Sequence, residues 1–380
     1  PGTAPMHGSY EDRPDAPDAV LASLSDADLE LHVDAWAREL AAAGRDGVDL
    51  LYLHHLTPLH AAAARAFPGV PIVTHVHGTE LLMLERIRDG APAGWAHADA
   101  WARRLREWAA TSERILINSP RGVDRAVALL EVEPERVVQM PNGYDPRFAP
   151  GEVDRRSLWR RVLVDEPRGW RPGGGPGSVA YREQDLAPLD GTVLAYVGRF
   201  TEVKRLPLLI EAFAAARARI DADAGLVLIG GHPGEWEGEH PLEAIERLGC
   251  RGAFLAGWYT HEELPELLRG ADLLVHPSVR EQFGQVLIEA MATGLPVIAV
   301  DRGGPATIVD DPATGWLLPP DDVDALADAI VAAVNDAEER RARGRRALED
   351  ARRRFSWERI GGRLLELLGA AGSRRGGAGG

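Results

Sequence analysis

The chain has 380 residues, with 43 lysines and arginines against 58 aspartates and glutamates, for a formal net charge of −15. That balance disfavours broad nucleic-acid binding and docking on anionic lipid, both of which need clustered cations. Apolar residues make up 45 %, no apolar run nears the roughly 20 residues of a membrane helix, and the length suggests about two domains.

Residues 1–20 read as an irregular, polar lead-in with no basic start followed by an apolar run, so no secretory leader is expected. "LSDADLELHVDAWARELAAA" has helical spacing, with Ser25 as its N-cap. "DLLYLHH" (49–55) and "VPIVTHVHG" (70–78) read as strands with polar, histidine-rich ends, and "PLHAAAARAF" between them as a helix. Helix, strand and helix follow in "WAHADAWARRLREWAATS", "ERILINSP" and "RGVDRAVALL", and "ERVVQMPNG" closes the series. This alternation predicts a parallel sheet covered on both faces.

Residues 150–190 are Gly/Pro-rich and lack sustained periodicity, so they read as a linker or surface insertion. A second series then begins, with strands at 192–199, 224–231, 252–258, 271–278 and 295–300 and helices between them. "DDVDALADAIVAAVND" and "FSWERIGGRLLELLGAA" read as late helices, and 370–380 as a disordered tail. The two series imply an α/β chain of two doubly wound domains facing across a cleft, with ligands at the carboxyl ends of the strands. Cys250 is the only cysteine, which rules out an internal disulfide and fits a reducing cytoplasm.

Lys204 is the only lysine, and every other basic side chain except histidine is arginine. It follows Arg199, which ends a strand, and Pro207 sits in the first turn of the next helix. Two cations and free helical amides at a strand's carboxyl edge form a diphosphate seat; the bland alternative is a solvated basic turn. Further on, "REQFGQVLIEAMATGLPVIA" places Glu281 in a loop and Glu289 on the helix starting at Gly284, about 7.5 Å along its axis. Glu289 has apolar neighbours almost all round, so it is expected to be buried and partnered. In "THVHGTE", His75 and His77 fall on one side of a strand. A metal there needs further ligands at later strand ends, and the available His276 and Asp301 lie in the second series, so no metal is assigned. "HHLTP" (54–58) either shapes an acceptor pocket or is structural. Asp26/Asp28 and Asp221/Asp223 sit in Asp/Ala-rich element edges and are given no metal role.

These features resemble the family 4 retaining glycosyltransferases, of GT-B architecture. The family's Glu, seven residues, Glu run is matched by Glu281 and Glu289, and its strand-end Arg and following Lys by Arg199 and Lys204. Its "PNG-D" exit is matched by Asn142, Gly143 and Asp145, and its late Gly-rich turn by "RGGPATIVDDPATGWLLPPDD". The resemblance implies an acceptor-side Rossmann-like domain over 1–148, a linker over 149–190 and a donor domain over 191–355. It further implies a helix over 356–369 crossing back to the first domain. It casts Glu281 on a donor-sugar hydroxyl, Glu289 on the ribose, and Arg199 and Lys204 on the leaving diphosphate. Gln282, Phe283, Gly284 and Gln285 would line the sugar and phosphates, Gly257 and Trp258 the base, and His77, with Gly78 and Thr79, the sugar from the other domain.

The implied activity is hexosyl transfer with retention from a nucleotide-diphosphate sugar to a hydroxyl of a small-molecule or glycan acceptor. UDP-sugar is favoured over GDP- or ADP-sugar, and no metal or other cofactor is expected. The family normally opens with an apolar strand and Gly-rich loop, and residues 1–48 supply neither, so the chain is expected to be N-terminally incomplete. Alternatives are an epimerase or phosphorylase of this architecture, a two-carboxylate glycosidase, and a non-catalytic sugar-nucleotide binder.

Overall fold

The computed structural model describes residues 8–10 and 19–373. Most of the lead-in and the last part of the tail therefore lie outside the described residues. The chain divides into two units, Pro1–Pro141 with Gly361–Gly380, and Asn142–Ile360.

In the first unit α1 (Asp26–Ala43) starts at Ser25, whose side chain accepts from the Asp28 amide. Asp28 is spent on that capping box and Asp26 on an ion pair with Arg104, so this Asp-x-Asp pair is structural. There follow β1 (Leu51–His54), α2 (Leu59–Ala66), β2 (Ile72–Val76), α3 (Thr79–Gly90), α4 (Ala98–Thr111), β3 (Arg114–Ile117), α5 (Val123–Leu130) and β4 (Val137–Gln139). The strands form a parallel sheet in the order β1-β2-β3-β4. Every residue of β2 is buried, as an inner strand covered on both faces requires. Register places His54 beside His75 at the carboxyl ends of β1 and β2.

The second unit opens with α6 (Arg155–Arg160), which runs on into a π turn at Arg161–Asp165. Strands β5 (Thr192–Val197), β6 (Ala224–Ile229), β7 (Ala253–Gly257), β8 (Leu273–His276), β9 (Val297–Val300) and β10 (Gly315–Leu318) alternate with helices. These are α7 (Leu206–Arg217), α8 (Pro241–Leu248), α9 (Leu264–Arg269), α10 (Gln285–Thr293), α11 (Pro305–Ile308) and, after β10, α12 (Val323–Asn335), α13 (Ala337–Phe355) and α14 (Trp357–Ser373). All pairings are parallel, in the order β10-β9-β8-β5-β6-β7. The chain winds outward one way from β5 through β7 and the other way from β8 through β10. The winding therefore reverses between β5 and β8, where an open parallel sheet leaves a crevice at its carboxyl edge.

Residues 149–190 are not a linker by packing. Leu158, Trp159, Val162, Leu163, Leu186 and Leu189 belong to the core on one face of the second sheet. Trp170 and Val179 belong to the core on the other face. Side chains satisfy the irregular backbone: Trp170 Nε1 donates to the Gly231 carbonyl at 2.9 Å, and the edge strand β7 donates its Leu255 amide to the Tyr181 hydroxyl at 2.8 Å. Leu158/Trp159 and Val162/Leu163 recur at helical spacing over one short helix, and beyond it the buried residues are scattered among Gly and Pro, so the lack of sustained periodicity does not mean exposure.

Helix α13 also escapes a periodicity reading. It is charged nearly all round, and its buried face is largely small residues, Gly344, Ala347 and Ala351. A side chain at Gly344 would stand 2.3 Å from the Gly294 carbonyl, so only glycine lets α13 approach the end of α10. Helix α3 and strand β10 are likewise additional to the expected elements. Helix α14 runs to Ser373, four residues into the expected tail, and 374–380 lie outside the described residues. The division between the units falls within α14, at Ile360 and Gly361.

Candidate functional site

The loops after β5 and β8 meet at the reversal point of the second sheet. The Val279 amide and the Ser278 hydroxyl both donate to the Val203 carbonyl, at 2.9 and 3.2 Å. That link sets a short turn, Glu202–Lys204, beside the loop carrying Glu281. Lys204 Nζ lies 2.5 Å from Glu281 Oε2, and His276 Nε2, on the last residue of β8, donates to the same oxygen at 3.3 Å. The lysine and glutamate side chains are 15 % and 21 % exposed, so little solvent screens the pair.

Burial by itself would raise the Glu281 pKa. The His276 hydrogen bond and the Lys204 charge outweigh burial and bring it down to about 2. Burial lowers the His276 pKa, so its ring is neutral. With Nε2–H donating to the carboxylate, Nδ1 is left as an acceptor, and it has no partner among the described residues.

The Glu281 loop is clamped from behind by the late Gly-rich turn. The Gly304 amide donates to the Glu281 carbonyl at 2.9 Å. A Cβ at Gly303 would lie 2.6 Å from the Glu281 carbonyl oxygen, and one at Gly304 2.1 Å from that of Phe283. Gly284 precedes α10 with φ 105°, a left-handed conformation, and α10 starts without a side-chain cap. Its first amides present the positive end of the helix at this edge. Phe283 is buried against Phe355, with ring centroids 6.0 Å apart, and Gln282 is half-buried in the same loop.

One turn into α10, Glu289 is 3 % exposed. It accepts from His261 Nε2 at 2.9 Å and from Gln285 Nε2 at 3.3 Å. Gln285 also donates to the Gly143 carbonyl at 3.0 Å, which ties the "PNG" exit to this helix. Burial raises the Glu289 pKa, with His261 opposing it. The expected buried, partnered carboxylate is therefore present, and its partner is a histidine 28 residues away.

The other expected donor-side residues are more dispersed. Arg199, two residues past β5, is exposed, and its carbonyl accepts from the Tyr196 hydroxyl at 2.9 Å. Gly257 ends β7 with φ 83°, and a Cβ there would lie 2.1 Å from the Arg168 carbonyl oxygen. Trp258 next to it is 48 % exposed and meets His232 edge-on. Asp145 of the exit motif is taken by Arg147 at 2.7 Å, which lowers its pKa to about 2.

The first unit gathers a histidine cluster at the carboxyl edge of β1 and β2. His75 Nδ1 lies 2.7 Å from the Tyr52 hydroxyl and its Nε2 2.5 Å from Asn118 Oδ1. Asn118 Nδ2 reaches His77 Nδ1 at 3.4 Å, and His77 Nε2 lies 2.9 Å from His54 Nδ1. One set of tautomers satisfies the chain. Tyr52 donates to His75, His75 Nε2–H to Asn118, the Asn118 amide to His77, and His77 Nε2–H to His54. Burial first, then neighbouring rings, lowers His77 to about 3; burial likewise lowers His75 to about 4. All three rings are thus neutral near pH 7.

Beside them His55 is raised, chiefly by its 2.6 Å hydrogen bond to the fully buried Glu80. Glu80 also accepts the Gly78 amide at 3.1 Å, holding the left-handed turn (φ 94°) that starts α3 at Thr79. His54 thus joins the expected His75 and His77. The two ligands weighed from sequence, His276 and Asp301, belong to the second unit. Sequence reading missed Tyr52, Glu80, Asn118, His261 and the pairing of His276. Only Glu80 had a local signal, two residues after Gly78.

Residues 179–350 match the family described as Glycosyl transferases group 1, and residues 9–148 match Glycosyltransferase Family 4. A D-inositol 3-phosphate glycosyltransferase from Salinispora tropica is 32 % identical over 347 residues, 88 % of this chain and 66 % of that protein. The chain thus spans about two thirds of that relative's length. The protein of the same name from Saccharomonospora viridis is 30 % identical over 333 residues, 84 % of this chain and 69 % of the relative. Among solved structures, HepE of Anabaena in complex with UDP has a TM-score of 0.66 at 20 % identity, covering 88 % of this chain and 82 % of that one. Sucrose-phosphate synthase from Thermosynechococcus elongatus has a TM-score of 0.65 at 23 % identity, covering 91 % and 79 %. These likenesses identify the fold class as GT-B, with two Rossmann-like α/β units.

Proposed function

Since the chain belongs to the group 1, family 4 glycosyl transferases, we propose that it moves a hexose with retention from a nucleotide-diphosphate sugar to an acceptor hydroxyl. The observation that carries this reading is the meeting of Lys204 and Glu281, from two different strand ends, at the reversal point of the second sheet. The lysine is a compact charge already held at the site, and the start of α10 adds a second positive element.

In the proposed reaction the bond from the anomeric carbon to the phosphate oxygen breaks, and the diphosphate leaves with the electron pair. The acceptor oxygen attaches on the same face, and its proton passes to the departing phosphate oxygen. Lys204, Arg199 and the α10 amides stabilise the leaving charge, which is electrostatic preorganisation. Glu281 takes a sugar hydroxyl, Glu289 the ribose, and Gly257 and Trp258 border the base. Gln282, Phe283, Gly284 and Gln285 line the sugar and phosphates. His77, with Gly78 and Thr79, is the sugar-binding group proposed for the first unit. None of these steps calls on a metal.

The solved UDP and UDP-glucose complexes of HepE support uridine as the base, and the names of the relatives support an inositol phosphate as acceptor. A cytoplasmic setting completes the proposal; among the described residues no helix is long and apolar enough to cross a membrane. A two-carboxylate glycosidase has one observation in its favour, the opposite displacement of the Glu281 and Glu289 pKa values. It leaves Lys204 without a role and requires hydrolysis of sugars that carry no nucleotide.

The test is calorimetric titration of the full chain with UDP-, GDP- and ADP-sugars. Turnover on an inositol phosphate follows, with the product's anomeric configuration read by NMR. One nucleotide sugar should bind and transfer with retention, and Lys204→Ala should cut turnover by orders of magnitude. Binding of none, inversion, or normal turnover in that variant overturns the proposal.

A further inference from the structure

The loop 257–263 after β7 carries Trp258 and also His261, the partner of Glu289. One side chain grips this loop at both ends. It is Arg168, which lies between the two family-matched stretches, 9–148 and 179–350, so the family resemblance gives it no role. We propose that Arg168 is a positioning residue for the nucleoside end of the donor, holding Trp258 and His261 where base and ribose are received. The proposal rests on the transferase reading of that loop.

The grip starts at Gly257, where a Cβ would stand 2.1 Å from the Arg168 carbonyl oxygen. At the far end of the loop the guanidinium donates twice to Glu263, from Nη2 to Oε1 at 2.8 Å and from Nη1 to Oε2 at 3.1 Å. Between these points it lies over the Tyr259 ring, 4.3 Å from the centroid. Glu263 Oε2 also accepts the Thr260 amide at 2.8 Å, which passes the hold on to the loop's own backbone. Trp258 and His261 therefore fall between held residues. A planar fork that also stacks on a ring is supplied by arginine and not by lysine.

Arg168 is itself anchored. The Gly169 carbonyl accepts the Gly177 and Val179 amides at 2.9 and 3.1 Å, and a Cβ at Gly169 would stand 2.5 Å from the Leu255 carbonyl oxygen. Trp170, next along, is fully buried with its indole bonded to the Gly231 carbonyl. The loop, by contrast, has room to move. Tyr259 and Glu263 border a cavity of about 250 Å³ that Arg161, Val162 and Leu267 also line.

Folding stability is not what the contact chiefly supplies. The Arg168 and Glu263 side chains are each 37 % exposed, and an ion pair so open to water adds little to the fold. It supplies preorganisation: with the loop already placed, binding need not order Trp258 and His261.

The test compares the full native chain with Arg168→Gln and Arg168→Lys. Hydrogen exchange of the ligand-free proteins, read by mass spectrometry, should be at least about threefold faster over 257–263 in Arg168→Gln and unchanged in β5 and β8. Calorimetric titration should show UDP affinity down about tenfold in that variant. Inorganic pyrophosphate, which engages only the Lys204 end, should bind it as it binds the native chain. Arg168→Lys, a charge without the fork, should bind UDP no more than about threefold better than Arg168→Gln. Melting temperatures should stay within about 3 °C of the native value. Unchanged exchange or unchanged UDP affinity in Arg168→Gln, or equal losses of UDP and pyrophosphate, overturns the proposal and leaves the transferase reading standing. Absence of nucleotide binding by the native chain overturns both.

Discussion

Lys204 and Glu281 form a pair whose strength can be worked out and measured. The folded environment lowers the Glu281 pKa from 4.5 to about 2. At about 1.4 kcal/mol per unit this is roughly 3 kcal/mol of stabilisation of the ionised carboxylate. His276 supplies part of it, so the share of Lys204 is on the order of 1–2 kcal/mol. A lowered carboxylate pKa contributes stability that is fully present above the unfolded value near 4.5. That stability is lost as pH falls from there through about 2. A double-mutant cycle over the native chain, Lys204→Ala, Glu281→Gln and the double variant isolates the pair from their other contacts. Urea unfolding at pH 7, followed by circular dichroism, should give a coupling of about 1–2 kcal/mol. The coupling should hold from pH 5 to 8 and shrink below pH 4.5. Effects additive to within about 0.5 kcal/mol at pH 7 would show that the contact is a loose surface pair.

Three further substitutions probe the supports of the site. Gly304→Ala puts a Cβ 2.1 Å from the Phe283 carbonyl oxygen, so the loop bearing Glu281 must shift; calorimetry should show UDP affinity down at least tenfold at a stability cost of about 1–3 kcal/mol, and unchanged affinity would mean the loop position does not matter. Glu289→Gln removes a carboxyl whose pKa is raised by burial. The native group favours folding below its unfolded pKa and loses that advantage as pH rises through the folded value. The variant's melting temperature relative to the native chain should therefore rise between pH 4 and pH 7, and a fall would refute the sign. Trp170→Ala empties a fully buried position and strands the Gly231 carbonyl, so urea unfolding should register a loss of about 3–5 kcal/mol; a loss under about 1 kcal/mol would restore the surface-insertion reading of 149–190.

Several parts of this protein could be read from its residues because they depend on neighbours in the chain. Alternating apolar runs and helical spacings specify parallel α/β units, since those periods follow from backbone geometry alone. The Ser25 cap, the start of α10 at Gly284 and the burial of Glu289 within "VLIEAMA" are equally local. So is the isolation of Lys204 as the one lysine.

Other features depend on which distant segments meet, and no spacing in the sequence encodes that. The reversal of winding between β5 and β8 brings Glu281 to Lys204 across 77 residues and makes His276 their third member. Packing of α10 selects His261 and Gln285 as the partners of Glu289. Strand register adds His54 to His75, and Asn118 then orders the rings. Residues 149–190 lack periodicity, yet Trp159 and Trp170 are buried by surfaces formed far along the chain. Burial there is a property of the partner surface, and only the assembled fold supplies it.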